Sequence, residues 1–242
     1  MPRALTYHRP ASLDDALALL ALDNHVPLGG GTILNADDDP TPVAMVDLQA
    51  LDLGGITHDG DEVTIGATTS LQEIANDDRV PEVIRRAARA ELPSTLRTLA
   101  TLGGTVAAAG PDSLLFAALL VHEARVDSVG PDGKSDHALA DRPASSGGLV
   151  VSVSVATDGF SAHEGTGRTP ADTPIVSATA RRTGQRMLLA LTGVADRPTL
   201  VDPNDPTTSL DPVGDFRGSA GYRLHLAGVL TARVVTATGG GT

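Results

Sequence analysis

Apolar and polar positions alternate briefly at Leu5 to His8, and then Leu13, Ala16, Leu17 and Leu20 recur at helical spacing. Ser12 with Asp15 three positions on has the form of a capping box, so the pattern predicts a strand near 5–8 and a one-faced helix over 13–22. Val26 to Leu28 and Val43 to Asp47 predict two more strands. Further on, Ile56 and Val63 to Gly66 flank the turn His58-Asp59-Gly60-Asp61 and read as a hairpin. Ser70 with Glu73 is a second capping box, opening a short helix through Ala75. Pro81 sits in the first turn of another helix, 82–91, whose Arg85, Arg86 and Arg89 read as a solvated face.

Leu96 to Thr105 passes through a polar turn into the paired glycines Gly103 and Gly104. Asp112 is placed to cap a helix carrying Leu114, Leu115, Ala118, Leu119 and His122. The stretch 138–148 is polar and glycine-rich and reads as loop, and 149–156 as a strand. From Thr173 the texture becomes a meander, with 175–179 and 187–191 around a polar turn at Arg181 to Gln185. Pro198, Pro203, Pro206 and Pro212 exclude a helix over 196–214. A last helix opens at Ser219 or Ala220 and runs through Val235, with Leu224, Ala227, Leu230 and Val234 on one face. The tail Gly239-Gly240-Gly241 is expected to be disordered. The pattern predicts an α+β protein of three units, 1–53, 54–168 and 169–242, the last a three-stranded sheet with one helix.

The candidate chemistry centres on Pro27-Leu28-Gly29-Gly30-Gly31-Thr32-Ile33. Three residues without Cβ let the backbone adopt φ > 0 and approach a ligand closely enough to offer N–H groups to phosphate oxygens. A glycine cluster is also ordinary loop punctuation, so the run alone leaves both a ligand cradle and a surface loop open. Neither standard phosphate pattern decides it: Leu34 stands where a dinucleotide fingerprint has its third glycine, and Leu34-Asn35-Ala36 where a P-loop has Gly-Lys-Ser/Thr.

Composition narrows the classes. With 18 basic against 30 acidic residues the net charge is −12, which disfavours nucleic acid and anionic membranes as partners. Two Tyr, three Phe and no Trp leave no stacking platform for bases. Zero Cys removes disulfides, thiolate nucleophiles and thiolate-held iron–sulfur or zinc sites. The seven His (8, 25, 58, 122, 137, 163, 225) lack metal-site spacings, so no metal site is expected. His25 adjoins the first glycine loop and is a candidate phosphate contact. No Gly-x-Ser-x-Gly elbow occurs, and no acid–base pair or nucleophile stands beside either glycine loop, so no catalytic residue is assigned. The start, Met1 to Pro10, has no apolar core or small-residue cleavage site, and the apolar run Leu114 to Val121 falls far short of the ~20 residues that span a bilayer. A cytoplasmic protein is expected.

Taken together, certain stretches resemble the FAD-binding medium subunit of molybdenum hydroxylases, the group of carbon monoxide, xanthine and aldehyde dehydrogenases. They are Tyr7 to Leu17, Leu28-Gly29-Gly30-Gly31-Thr32, Val46-Asp47-Leu48, Ile65 to Thr69, Leu96-Arg97-Thr98 with Ala100-Thr101-Leu102-Gly103-Gly104, and Gly218 to Arg223. The resemblance covers nearly the whole chain. It implies a PCMH-type FAD-binding fold of two α/β subdomains and a small C-terminal domain. It further implies that Pro27 to Ile33 and Ala100, Thr101, Leu102, Gly103 and Gly104 clamp the FAD pyrophosphate through backbone N–H groups, with Leu149 near the isoalloxazine edge. Loops that serve one ligand in this way lie within about 15 Å of each other.

A flavin subunit of this kind does no substrate chemistry. It is an oxidoreductase subunit that accepts electrons from [2Fe-2S] clusters on a small subunit, after a molybdenum-pterin large subunit has oxidised the substrate, and passes them to an external acceptor. The lack of Cys agrees with clusters held on another chain of a hetero-oligomer. The chain departs from the family at Thr105, Leu114 and Glu164, where members usually have Asn, Asp and Lys, and at Ile33, where they have a polar residue. Two lost hydrogen bonds at roughly 0.5–1.5 kcal/mol each weaken FAD by about one to two orders of magnitude. Asp112 is a candidate substitute for the missing Asp. The segment between Gly193 and Asp215 is short for the family. Two alternatives stay open: a degenerate paralogue that binds FAD weakly and acts as scaffold, and a stand-alone flavin oxidase, which the lack of substrate chemistry disfavours.

Overall fold

A computed structural model of the chain describes residues 4–36, 38–142, 148–169 and 172–239. The first unit is a three-stranded parallel sheet, β1 (Ala4–His8), β2 (His25–Leu28) and β3 (Val43–Asp47) in the order β1-β3-β2. Helix α1 (Leu13–Leu20) starts at Ser12, whose hydroxyl accepts the Asp15 N–H, and ends two residues earlier than its apolar spacing suggested. Its Ala16 packs with Val46 and Leu48 in a small core. The glycine run leads directly into helix α2 (Thr32–Ala36), which the hydrophobic pattern did not announce.

The second unit is a five-stranded antiparallel sheet ordered β4-β5-β8-β6-β7, from β4 (Ile56–Asp59), β5 (Glu62–Gly66), β6 (Arg125–Gly130), β7 (Gly133–Ala138) and β8 (Leu149–Ala156). The β6–β7 hairpin extends into the stretch expected to be loop from 138, while 143–147 lie outside the described residues. Helix α3 (Leu71–Asn76) begins with the complete Ser70–Glu73 capping box, and α4 (Glu82–Glu91) follows Pro81. Arg86 is solvated as expected, whereas Arg85 is mostly buried beside Asp78 and Glu82. Next come α5 (Ser94–Arg97) and α6 (Leu102–Ala108), so Gly103 and Gly104 occupy the first turn of a helix and not an open turn.

Helix α7 (Leu114–Val121) is capped by Ser113, not by Asp112, and all of its residues are buried. It is apolar all round, as the unbroken run Leu114 to Val121 requires, and lies between α4 and the C-terminal sheet. That sheet has four strands against the three expected. β9 (Phe160–Thr166), before the anticipated boundary at 168, pairs with β10 (Val176–Thr183), followed by β11 (Arg186–Thr192) and β12 (Thr199–Val201). The hairpin turn is at Gly184 and Gln185, so Arg181 and Arg182 belong to β10. Arg181 is 2% exposed and bonds the carbonyls of Val121 (3.2 Å) and Asp158 (2.9 Å) and the Glu123 carboxylate (3.0 Å). A cation thus terminates α7 where its C-terminal carbonyls accumulate.

The last helix, α8 (Ala220–Ala237), is capped by Ser219 and covers this sheet with Leu226, Ala227, Leu230 and Val234; Leu224, expected on that face, is replaced there by Arg223 and Leu226. Gly240 and Gly241 of the expected tail lie outside the described residues. No helix among the described residues is long and apolar enough to cross a membrane.

His122 ends α7 with its ring buried, Nδ1 donating to the Ala156 carbonyl and Nε2 accepting from Ser161 (2.9 Å). Burial pushes its pKa from 6.5 down to about 4. The unfolded chain therefore takes up this proton first, and stability that is complete above pH 6.5 is lost as pH falls towards 4. The loss amounts to about 3 kcal/mol. Denaturant titrations from pH 7 to 4 should show that His122→Asn lacks this component of acid sensitivity; equal slopes for variant and wild type would assign it elsewhere.

Candidate functional site

The first glycine loop is fixed from beneath by β3. Asp47 at its end is 6% exposed and accepts the Tyr7 hydroxyl and the Gln49 N–H (2.9 Å). The Gln49 amide then donates to the Gly29 carbonyl at 3.0 Å. The motif Val46-Asp47-Leu48 thus sets the loop by way of Gln49.

The two glycine segments touch. A Cβ on Gly30 would lie 1.6 Å from the Leu99 carbonyl oxygen, and one on Gly29 would lie 2.6 Å from Thr101 Oγ1. Gly30 is glycine because another backbone occupies its side-chain space, not because of positive φ; in this run it is Gly31 that has φ +71°. Gly103 is similar, its Cβ position lying 2.9 Å from Ala67 Cβ. Arg97 braces the approach to Leu99 through the Gln72 side chain and the carbonyls of Arg89 and Leu92.

A cleft of about 740 Å³ opens beside this contact. Pro27, Leu28, Gly29, Gly30, Gly31, Thr32 and Ile33 line it, together with Ala100, Thr101, Gly103, Gly104 and Leu149. Leu102 does not: it is fully buried in the core, because Thr101 is the N-cap of α6 and the next side chain points into the protein.

The loops differ in the donors they offer. Among the described residues no acceptor meets the N–H groups of Gly30, Gly31, Thr32 and Ile33, which lead into the N-terminus of α2. Such a run of free donors favours an anion. In the second segment the N–H groups of Leu102, Gly103 and Gly104 go to Thr69 O (3.0 Å), Ala67 O (2.8 Å) and Thr101 Oγ1 (3.3 Å). That segment builds the wall while the first supplies donors. No Lys, Arg or His lines the cleft among the described residues, so an anion there meets neutral dipoles.

Several lining residues escaped sequence reasoning, above all Glu91. Its carboxylate reaches from α4 to the start of α7, accepting from Ser113 Oγ and the Leu115 N–H (2.9 Å). Burial raises its pKa, and the nearby Asp112 adds to the effect. Nothing in local patterning marks this role, since Glu91 simply ends a helix. Asp112 lines the cleft but its carboxylate is paired with Arg217 at 2.7 Å. Thr105 and Leu114, two of the departures, both line it. Neither Glu164 nor His163 does, and His25 instead bonds the Asp23 carbonyl (3.0 Å) and lies beside His8.

With this geometry in hand, the comparisons are specific. The profile of the family described as the FAD binding domain in molybdopterin dehydrogenase matches residues 3–147. The carbon monoxide dehydrogenase medium chain of Afipia carboxidovorans is 28% identical over 279 residues, covering 97% of this chain and 96% of that one. The uncharacterized protein YgfM of Escherichia coli K12 is 27% identical over 244 residues, 93% of each chain. Among solved structures, a chain of the Cu,Mo-CO dehydrogenase in its cyanide-inactivated form has a TM-score of 0.88 at 26% identity, over 98% of both chains. A chain of quinoline 2-oxidoreductase from Pseudomonas putida 86 shares the fold, with a TM-score of 0.83 at 22% identity over 97% of both.

The loop contact makes a graded expectation. Gly30→Ala drives Cβ into a backbone carbonyl that cannot turn aside, and should cost about 2 kcal/mol or more. Gly104→Ala meets Thr101 Oγ1 at 3.2 Å inside a helix, where Ala is favoured, and should stay within about 1 kcal/mol of wild type. Chemical denaturation of the two variants measures the difference; equal stabilities would mean that the loops do not touch.

Proposed function

This chain belongs to the family of FAD binding domains in molybdopterin dehydrogenases, and from that premise we propose that it is the flavin-carrying electron-transfer subunit of a molybdenum hydroxylase complex. The observation that carries the reading is the run of N–H groups at Gly30 to Ile33, unpartnered among the described residues, on the wall of a 740 Å³ cleft. FAD, when bound, supplies the group that takes up and releases electrons. The chain's own residues hold and shelter it. Gly30, Gly31, Thr32 and Ile33 would offer backbone donors to the pyrophosphate, while Gly103 and Gly104 would leave room for it on the facing wall. Leu149 and Leu114 would give apolar walls that exclude water from the ring.

Partners complete the electron path. Iron–sulfur clusters need ligands that a chain with no Cys does not provide, so they belong to a small subunit, and the molybdenum-pterin to a large one. The relative from Afipia is named a medium chain, which agrees with a place in such a cytoplasmic hetero-oligomer. The chain's part in that path would be to hold the flavin between the clusters and an external acceptor.

One observation favours a second reading, a scaffold subunit with weak FAD affinity. Leu114 lines the cleft where the resemblance expects a carboxylate, and Asp112, its candidate substitute, is held by Arg217.

The complex purified from its source should release, on denaturation, about one FAD per copy of this chain. Gly31→Val, strained at φ +71°, should weaken FAD by about tenfold or more, whereas Thr32→Ala should change it by less. Dialysis with flavin fluorescence as readout compares them. A complex that keeps both partners but releases no flavin moves the role to scaffold, and a lone chain that turns over a substrate of its own sinks the subunit reading.

A further inference from the structure

A second hollow of about 470 Å³ adjoins the cleft. Val83, Ala87 and Ala90 on one side of α4 form its apolar floor with Leu114 and with Ala162 of β9. Ala90 and Leu114 line both cavities and so form the partition between them.

Its polar groups are few and unevenly committed. The Arg86 side chain is 76% exposed, and its nearest carboxylate, Glu82, stands 3.8 Å away while holding Arg85 at 2.6 Å. His163 spends Nδ1 on Thr179 Oγ1 at 2.9 Å, and among the described residues no hydrogen bond is made by its Nε2. Ser161 is taken by His122. Phe160 lines the same hollow and is 72% exposed, an aromatic ring left in water near an underused guanidinium.

We propose that this hollow binds a small planar organic anion of the aromatic monocarboxylate class, with its ring on the Val83–Ala87–Leu114 floor beside Phe160 and its charge on Arg86 and His163. A cation is opposed by Arg86. A polyanion is opposed by Glu82, which also lines the hollow, and by the net charge of −12. A neutral apolar ligand would leave Arg86 and His163 unused, and the ring area accounts for the exposed Phe160. The proposal does not depend on flavin in the neighbouring cleft.

Calorimetric titration of the full chain with benzoate tests it, with benzamide as the uncharged control and cyclohexanecarboxylate as the non-planar one. Benzoate should bind saturably at one site, about tenfold or more tighter than benzamide and severalfold tighter than cyclohexanecarboxylate. Arg86→Gln should weaken benzoate by about tenfold or more, and Phe160→Ala by severalfold, with circular dichroism unchanged because both side chains are exposed. Ala87→Leu, which fills the floor, should abolish binding. No saturable heat from benzoate on the folded chain, or equal affinity for benzoate in wild type and Arg86→Gln, would overturn the proposal, and equal affinity for benzamide would overturn its anionic character.

Discussion

The site depends on one close contact, the passage of the Gly30 backbone against the Leu99 carbonyl. Two segments that belong to different units can form opposite walls of one cleft only if they come within backbone distance at one end. A Cβ on Gly30 would hold them apart. With Gly30 in place, the Gln49 amide and the Thr101 cap fix the two walls, and the space between them is left for a ligand. The glycines thus divide their work: Gly30 and Gly103 allow packing, while Gly31 allows the backbone turn that points consecutive N–H groups away from the protein.

The far wall is held by the C-terminal part of the chain. Arg217 links Asp112 (2.7 Å) to Asp215 (3.1 Å), and Arg223 links Asp215 (2.8 Å) to the carbonyls of Ile175 and Gly193. Gly193 in turn donates to the Pro111 carbonyl at 2.9 Å. The paired guanidinium groups hold the Asp215 carboxyl far below the usual carboxylate range. Because α7 is buried between α4 and the C-terminal sheet, this network is tied to the core. The small sheet and its helix buttress the wall that begins at Gly110.

The departures from the family pattern have uneven weight in the structure. Thr105 is bonded within α6 and leaves no unpaired group, since its hydroxyl donates to the Thr101 carbonyl. Leu114 matters more, because it faces the cleft and also forms the partition from the second hollow. Glu91 is the carboxylate that the cleft does contain, but it is occupied with the start of α7. The cleft therefore offers main-chain donors and apolar walls, a combination suited to a diphosphate and a flat ring without charged side chains.

What the sequence by itself determined is local. The caps at Ser12, Ser70 and Ser219, the hairpin at Asp59-Gly60, and the proline-broken stretch after Gly193 follow from backbone chemistry within a few residues. The glycine run was visible as a candidate for the same reason, since successive residues without Cβ allow close backbone approach, but local pattern left a plain surface loop equally open. Tertiary structure alone decided what each glycine avoids, because Leu99 and Ala67 are remote in sequence or separated by turns whose geometry no pattern states. It also moved β9 into the C-terminal sheet and buried Arg181, because strand partners and buried charges are chosen by long-range pairing and not by local polarity. Glu91 and Asp112 were fixed in the same way: each carboxylate took its role from the helix end or arginine that folding brought to it.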